Sequence, residues 1–170
     1  MAFDAFCFGT GIAGETQDSD YKSKGAFELI SFEIGAENNI NIGSTTSGGG
    51  AGKATFKELS ITKKTDKSSP YFFTNLVLGK HIDELQIDLR RSGGTTDSSG
   101  GVFMEYKFKL VMIQDMSWSG SDGDDVLEET LVLQFGAIEI SYKSQDAKGK
   151  MGSPEVSRWS RVLNKASFAV

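Results

Sequence analysis

Few residues of the chain could support catalytic chemistry. His81 is the only histidine, and no serine or cysteine stands near it in the setting of a nucleophile elbow. Cys7, the only cysteine, lies in an apolar stretch that favours a small structural side chain over a reactive thiolate. Glu128 and Glu129 fall in a predicted strand and point to opposite faces, so they cannot share acid and base roles. The sequence therefore predicts a protein without catalytic activity.

A glycine motif suggests a dinucleotide cofactor at first. The residues Gly9-Thr10-Gly11-Ile12-Ala13-Gly14 spell G-x-G-x-x-G directly after a predicted strand. A dinucleotide fingerprint requires that such a turn open a helix whose N-terminus faces the pyrophosphate. Here the turn is followed by the acidic segment Glu15-Thr16-Gln17-Asp18-Ser19-Asp20 and then by another strand. We therefore predict a glycine-rich strand connection and no cofactor.

The acidic segment Gly120-Ser121-Asp122-Gly123-Asp124-Asp125 suggests a calcium site. An EF-hand loop would need glycine at its sixth position and glutamate at its twelfth, and the glycine here stands at the wrong offset. A solvated acidic turn is the preferred interpretation, so no metal site is predicted.

Composition narrows the class of protein. The chain has 170 residues, of which 38% are hydrophobic and 11% aromatic, enough for one domain spanning residues 1–170 around one core. A net charge of −5 argues against nucleic acid as a partner. No apolar run reaches the ~20 residues of a membrane span, and the start lacks the basic region of a signal peptide. We expect cytoplasmic folding, and any export without a cleaved signal peptide.

The run from Gly52 to Gly94 is the stretch where a strand, a helix and a second strand follow one another closely. Ser69 is predicted as the N-cap of the helix, Pro70 as its first residue and Gly79 as its left-handed C′ residue. A helix of about two and a half turns is too short to be stable alone and must be held by packing. The predicted packing stripe consists of Phe72, Phe73, Leu76 and Val77.

Alternating apolar residues predict strands along the rest of the chain. In Ala26–Gly35, Ile30, Phe32 and Ile34 would share one face, while Ser31 and Glu33 would lie on a solvated face. The other predicted strands are Ala2–Phe8, the two flanking the helix, Val102–Met112, Glu128–Tyr142 with a bulge at Gly136, and Val156–Leu163. Between them, Gly43–Gly52 is a glycine-rich loop, either a flexible connection or an arm that orders against a partner. The predicted fold is all-β with one short α-helix, an antiparallel β-barrel or sandwich of two curved sheets.

Several segments in register resemble the haemolysin-coregulated protein (Hcp) family, the tube protein of type VI secretion systems. They are Met1-Ala2-Phe3-Asp4, Gly14-Glu15-Thr16 with Asp18, Gly48–Lys53, the helix entry Asp66-Lys67-Ser68-Ser69-Pro70 and exit Gly79-Lys80-His81, Leu127–Tyr142, and Val156, Trp159, Asn164 and Lys165. The resemblance covers nearly the whole chain. The chain departs from the family at Tyr21-Lys22, where His-Lys is frequent, and at Phe32-Glu33-Ile34, where the family's second strand is richer in aromatic residues.

The resemblance implies a β-barrel subunit that closes into a homohexameric ring, with rings stacking into a hollow tube. A contractile sheath would expel the tube behind a spike protein, with small effector proteins in its lumen. The predicted ring-stacking loop comprises Gly43, Ser44, Thr45, Thr46, Ser47, Gly48, Gly49 and Gly50. Ser31 and Glu33 are candidates for the lumen lining, with ordinary solvent exposure as the alternative.

A second function remains open from the residues alone. A soluble β-sandwich that binds a glycan or a protein could use Trp118 and Trp159 as a recognition platform. Such a binding module would be monomeric, whereas a tube protein would form rings. An enzyme that depends on His81 or on Asp122–Asp125 ranks third.

Overall fold

The structure, a computed structural model, describes residues 3–41, 50–91 and 100–170. Its strands are β1 (Phe3–Gly9), β2 (Phe27–Glu33), β3 (Ala36–Asn41), β4 (Gly50–Phe56), β5 (Leu59–Lys64), β6 (His81–Arg91), β7 (Val102–Ser119), β8 (Glu128–Gln145) and β9 (Met151–Ser160). Helix α1 spans Ser69–Leu78, and a 3₁₀ turn spans Lys22–Lys24.

The main sheet closes into a six-stranded antiparallel barrel. Its strand order is β5-β2-β1-β6-β7-β8, and the first half of β8 pairs back onto β5. Strand β9 extends the sheet by pairing with the second half of β8. β3 and β4 form a separate two-stranded hairpin, which we call the arm (residues 36–56). The all-β class with a short helix is confirmed, and of the two predicted architectures the barrel is the one observed.

The alternating strands supply the barrel core. The flanks of the helix behave as predicted: Leu59 and Ile61 of β5 and Leu85 and Ile87 of β6 are buried at 0–1% exposure. They pack against apolar side chains of β1, β7 and β8 in one cluster. Burial of each such side chain contributes about 1.5–3 kcal/mol, and this packing stabilises a helix too short to form alone.

Helix α1 begins one residue earlier than predicted. Ser68 is the N-cap, Ser69 the first helical residue and Pro70 the second, where its missing N–H is still tolerated. The Ser69 hydroxyl donates to Glu129 Oε1 at 2.8 Å and accepts from the backbone N–H of Asp66 at 3.0 Å. These two hydrogen bonds fix the start of α1 to β8 and to the loop that precedes the helix. The predicted C′ residue is confirmed, because Gly79 has a left-handed φ of 62°.

The prediction of one four-residue packing stripe on α1 is wrong for two members. Phe72 is fully buried and Leu76 packs against the core, whereas Phe73 and Val77 are 46% and 60% exposed. Successive residues of an α-helix are rotated by about 100° around its axis. Phe73 and Val77, each one residue after a packed side chain, therefore point away from the barrel. Phe73 instead lies beside Trp118 of β7, with ring centroids 6.0 Å apart.

Two strands change facing where a simple alternation predicts none. In β2 the register with β5 shifts between Leu29 and Ser31, so Ile30 is exposed and does not share the inner face of Phe32. In β7 Leu110 has a left-handed φ of 52°, so that Val111 is buried and Met112 is exposed.

The predicted bulge at Gly136 is wrong, although β8 does change facing there. Lys109 pairs with Ala137 and Val111 with Phe135, so the register of β7 with β8 is unbroken around Gly136. Gly136 lies opposite the strained Leu110, and a Cβ on it would stand 3.0 Å from the Leu110 Cβ. The shift in register lies instead between Ile113 and Asp115.

The last strand also lies earlier in the chain than predicted. β9 runs from Met151 to Ser160, whereas the sequence pattern placed a polar turn up to Ser153 and a strand ending at Leu163. Most of β9 is an exposed edge, so its residues lack the apolar alternation that reveals a half-buried strand.

Candidate assembly surfaces

The outer face of β2, β5, β8 and β7 carries small polar side chains that pair across all four strands. One row consists of Ser31, Thr62, Thr130 and Ser117, and the next row consists of Glu33, Ser60, Val132 and Asp115. The hydroxyls of Thr62 and Thr130 are 3.2 Å apart. We call these two rows the polar face. All eight side chains are exposed or half-buried and all but Val132 are polar, so four strands of the barrel present a largely hydrophilic surface.

Helix α1 lies across the core from the polar face. Lys63, Glu129 and Trp118 form the row next to Thr62, Thr130 and Ser117, and strand alternation directs them to the opposite side. There, Glu129 accepts a hydrogen bond from Ser69 at the start of α1, and Trp118 contacts Phe73. The barrel therefore has a polar four-stranded wall on one side and a helix on the other.

A buried ion pair ties α1 to the barrel wall. The side chains of Lys63 and Glu129 are fully buried, with Lys63 Nζ 2.7 Å from Glu129 Oε1. Lys63 Nζ also donates to Asp66 Oδ1 and to the Lys64 carbonyl, both at 2.8 Å. Glu129 Oε2 accepts from the Trp118 indole N–H at 2.8 Å. A buried charge pair persists only when its remaining donors and acceptors are satisfied, as they are here.

The arm is attached to the barrel through its base. Phe56 packs on Phe135 of β8 with ring centroids 6.0 Å apart, and the Arg161 guanidinium lies 5.7 Å from the Phe56 ring. Along β3 the side chain of Ile40 is 59% exposed, which is unusual for isoleucine. Of the predicted stacking loop, Gly43–Gly49 lie outside the described residues. Gly50 begins β4, so the loop predicted to reach Gly52 ends earlier.

A second charged cluster fastens the segment before β2 to the outside of β1 and β6. Arg90 donates to both carboxylate oxygens of Asp18, and Asp4 and Asp20 lie at 3.3 Å from its guanidinium. The guanidinium also stacks over the Phe6 ring at 4.9 Å. The hydrogen bond from Arg90 holds the pKa of Asp18 below its ordinary range.

This pair predicts a loss of stability in acid. A carboxylate with a lowered folded-state pKa contributes stability above its unfolded pKa, and that contribution is lost as pH falls through the folded pKa. We expect wild-type protein to melt at a higher temperature than the Asp18→Asn variant at pH 7, with the gap narrowing as pH falls below the ordinary aspartate pKa of about 3.9 and closing once Asp18 is protonated in the folded protein. Thermal unfolding across pH measures the gap, and Asp83→Asn, at an exposed carboxylate, is the matched control. A gap that stays constant with pH would contradict this assignment.

The residues singled out for chemistry occupy separate, structural positions. Cys7 is completely buried, and burial raises the pKa of its thiol. His81 is exposed at the start of β6 with Nε2 3.1 Å from Asp83 Oδ1. In the segment Gly120–Asp125, which was considered for calcium, the Asp124 carboxylate accepts from the Ser121 backbone N–H at 2.7 Å. In the part of the chain that the structure describes, no three His, Cys, Asp or Glu side chains are grouped to hold a metal ion.

The glycine motif has a packing role. After Gly9 the chain leads through an irregular segment to the 3₁₀ turn, whereas a dinucleotide fingerprint would open an α-helix. A Cβ on Gly9 would lie 2.3 Å from the Glu84 carbonyl oxygen, and one on Gly14 would lie 2.4 Å from the Ala26 carbonyl oxygen. The glycines therefore permit close approach of neighbouring backbones.

Comparison with known proteins places the fold. The family model described as type VI secretion system effector, Hcp, matches residues 6–142. The chain belongs to the Hcp family. Protein hcp1 of Pseudomonas aeruginosa is 32% identical over 108 residues, which is 63% of this chain and 65% of that protein, just under two thirds of its length.

Solved structures show the same Hcp architecture. One described as a type six secretion system protein has 28% identity and a TM-score of 0.86, covering 98% of this chain and all of that one. Hcp1 from Salmonella typhimurium has 24% identity and a TM-score of 0.72 over 98% of this chain and all of that one, a likeness of fold. The resemblance to the Hcp family is thus confirmed. Within the described ranges, no helix is long and apolar enough to cross a membrane.

The two tryptophans of this Hcp protein do not form a common platform. Trp118 pairs with Glu129 and Trp159 with Ile138, nine residues apart along β8, or roughly 30 Å at strand spacing. Trp159 is half-buried against the core, and Trp118 contacts Phe73. The prediction of a shared tryptophan recognition surface is therefore wrong.

Proposed function

We propose that this Hcp protein is a structural subunit of the type VI secretion tube. Six copies close side by side into a ring, and rings stack into a hollow tube that a contracting sheath expels together with a spike protein. Small effectors travel in the lumen. The protein works by self-assembly, not catalysis, and assembles in the cytoplasm before it is secreted without a cleaved signal peptide.

The observation that carries this proposal is the polar face. A lumen must admit cargo and release it, so its wall should be hydrophilic, smooth and weakly interacting. The hydroxyl row of Ser31, Thr62, Thr130 and Ser117 spans four adjacent strands with side chains that protrude little. Glu33 and Asp115 in the next row keep the face solvated. We therefore assign Ser31 and Glu33 to the lumen, together with the Thr62 and Thr130 positions that alternation alone did not single out.

Helix α1 then faces the outside of the tube. It lies across the core from the polar face, and its exposed side chains Phe73 and Val77 stay accessible in a single chain. Placing the helix outside leaves the polar face as the inner wall, and the exposed edge of β9 is available to a neighbouring copy. A ring of this kind uses the same heterologous contact at each of its interfaces.

Cysteine labelling tests the assignment of inner and outer faces. Ser31→Cys and Val77→Cys place single thiols on the polar face and on the helix, and buried Cys7 gives little background because its thiol pKa is raised. In assembled tubes we expect a small maleimide to label both variants, and a maleimide on a long polyethylene glycol chain to label only Val77→Cys. After dissociation into monomers both reagents should label both variants. Equal labelling of both thiols by the large reagent in intact tubes would exclude Ser31 from the lumen.

The arm is proposed to contribute to ring stacking. Its hairpin is joined to the barrel at its base and does not pair with the main sheet, so most of its length is available to another ring. Deletion of residues 43–48 should shorten tubes in negative-stain images while annular rings persist. His81→Ala, at an exposed position at the start of β6, should leave rings and tubes unchanged. Equal loss of rings and tubes in the deletion variant would contradict a stacking role.

A further inference from the structure

The two turns that flank β8 carry opposite charge. Residues 120–127, between β7 and β8, contain three aspartates and no basic residue, and we call this segment the acidic turn. Residues 146–150, between β8 and β9, contain two lysines and one aspartate, and we call this segment the basic turn. All residues of both turns are exposed.

Hydrogen bonds within each turn determine which charges face outward. In the acidic turn Asp124 accepts from the Ser121 backbone N–H at 2.7 Å. In the basic turn Asp146 Oδ1 accepts from the backbone N–H groups of Lys148 and Lys150 at 2.8 and 2.9 Å. The single aspartate of the basic turn is thus directed at its own backbone, and the Lys148 and Lys150 ammonium groups remain for an outside partner.

The turns lie at opposite ends of the subunit. β8 runs without interruption from Glu128, next to the acidic turn, to Gln145, next to the basic turn. A strand rises about 3.3 Å per residue, so an 18-residue strand separates its ends by several tens of ångström even when it bends. The acidic turn and the basic turn of one copy therefore lie far apart, at opposite ends of β8.

We propose that the acidic turn of one ring docks on the basic turn of the next, so that this charge pairing sets a head-to-tail direction of stacking. The partner is a second copy of this chain, since the two surfaces are complementary and repeat on every copy. Val126 and Leu127, exposed beside the aspartates, add apolar area to the contact. Head-to-head or tail-to-tail stacking of rings would bring turns of like charge together, which disfavours both arrangements. This inference rests on the proposed tube role.

Salt dependence is the first consequence. The Debye length falls from about 30 Å at 0.01 M salt to about 3 Å at 1 M, so contacts between exposed charges weaken strongly over that range. We expect the fraction of protein in tubes, measured by sedimentation, to fall several-fold between those two concentrations of sodium chloride. The mass of the ring by light scattering should stay constant. Tubes that are equally abundant at both concentrations would contradict the proposal.

Charge reversal with mixing is the decisive experiment. The first variant carries Asp122→Lys and Asp125→Lys, and the second carries Lys148→Glu and Lys150→Glu. Each variant alone should form rings but few tubes at low salt, because its two ends then have the same sign. A mixture of the two ring preparations should restore tubes, since each altered end meets an altered end of opposite charge. Restoration also shows that both variants fold.

A matched control and a separate readout keep this inference apart from the proposed function. Asp83→Lys changes an exposed carboxylate on β6, outside both turns, and should form tubes like the wild type. If wild-type protein forms no rings, the tube role itself fails. If rings and tubes form but each reversed variant stacks like the wild type, or the mixture gives no tubes, the charge-pairing inference alone is overturned.

Discussion

Replacement of Glu129 with alanine is expected to lower the free energy of unfolding by about 3–5 kcal/mol, because it leaves the Lys63 ammonium buried without its nearest counter-ion. Both side chains have no solvent exposure, and their atoms are 2.7 Å apart. The same change removes the acceptors of the Trp118 indole and of the Ser69 hydroxyl at the start of α1. Urea unfolding at one fixed protein concentration measures the loss, since assembly shifts the apparent stability.

Glu128→Ala is the matched control for this prediction. Glu128 is the preceding residue, it points to the opposite face and it is exposed, so its loss should change the free energy of unfolding by less than about 0.5 kcal/mol. A double variant with Lys63→Met and Glu129→Leu should recover part of the stability, because neither charge of the buried pair remains, and Asp66 still accepts from the Ser68 backbone N–H. If Glu129→Ala proved as mild as Glu128→Ala, the buried pair would not hold α1 on the barrel.

Truncation of Phe72 should be the second large effect, at about 3–5 kcal/mol for Phe72→Ala. The ring is fully buried, and it packs edge-on against Phe27 with centroids 5.8 Å apart. Its removal leaves a cavity between α1 and the barrel, and a short helix has little other means of staying folded. The loss is read from the urea midpoint at constant protein concentration.

Phe73→Ala provides an internal comparison on the same helix. Phe73 is about half exposed and contacts Trp118, so its truncation should cost roughly 1 kcal/mol or less in the free energy of unfolding. The sequence pattern treated the two phenylalanines alike, whereas the structure separates them. If Phe72→Ala and Phe73→Ala lowered the free energy of unfolding by similar amounts, the helix would pack through a broader face than the exposure of Phe73 indicates.

Much of the fold follows from local pattern in the sequence. The alternation of Leu85, Ile87 and Leu89 predicts β6, and the left-handed Gly79 ends α1 as predicted. Elements without a local apolar signal were misplaced. β9 is an exposed edge strand, and its extent is set by pairing with β8, a contact between distant parts of the chain.

The misjudged side-chain facings have a common origin. Ile30 and Leu110 interrupt alternation through a register shift and a left-handed residue, and neither has a glycine or proline to mark it. The sequence alone does not reveal the buried pair of Lys63 and Glu129, because nothing local shows that a lysine on β5 and a glutamate on β8 lie opposite each other. Only barrel closure brings the two together.

The polar face extends beyond the residues that the sequence singled out. Ser31 and Glu33 were recognised as polar residues on a half-buried strand, but one strand cannot show that its neighbours continue the same face. Pairing of β2 with β5 and of β5 with β8 adds Thr62 and Thr130. A surface of this kind is a property of strand register, which sequence alternation leaves undetermined by whole steps of two residues.

Light scattering coupled to size-exclusion chromatography tests the central claim most directly. For the purified protein we predict a particle of about six times the 18.4 kDa mass of one chain, with annular particles in negative-stain images of the same fraction. A mass equal to one chain across the accessible range of concentration and salt, with no annular particles, would contradict a tube built by self-assembly.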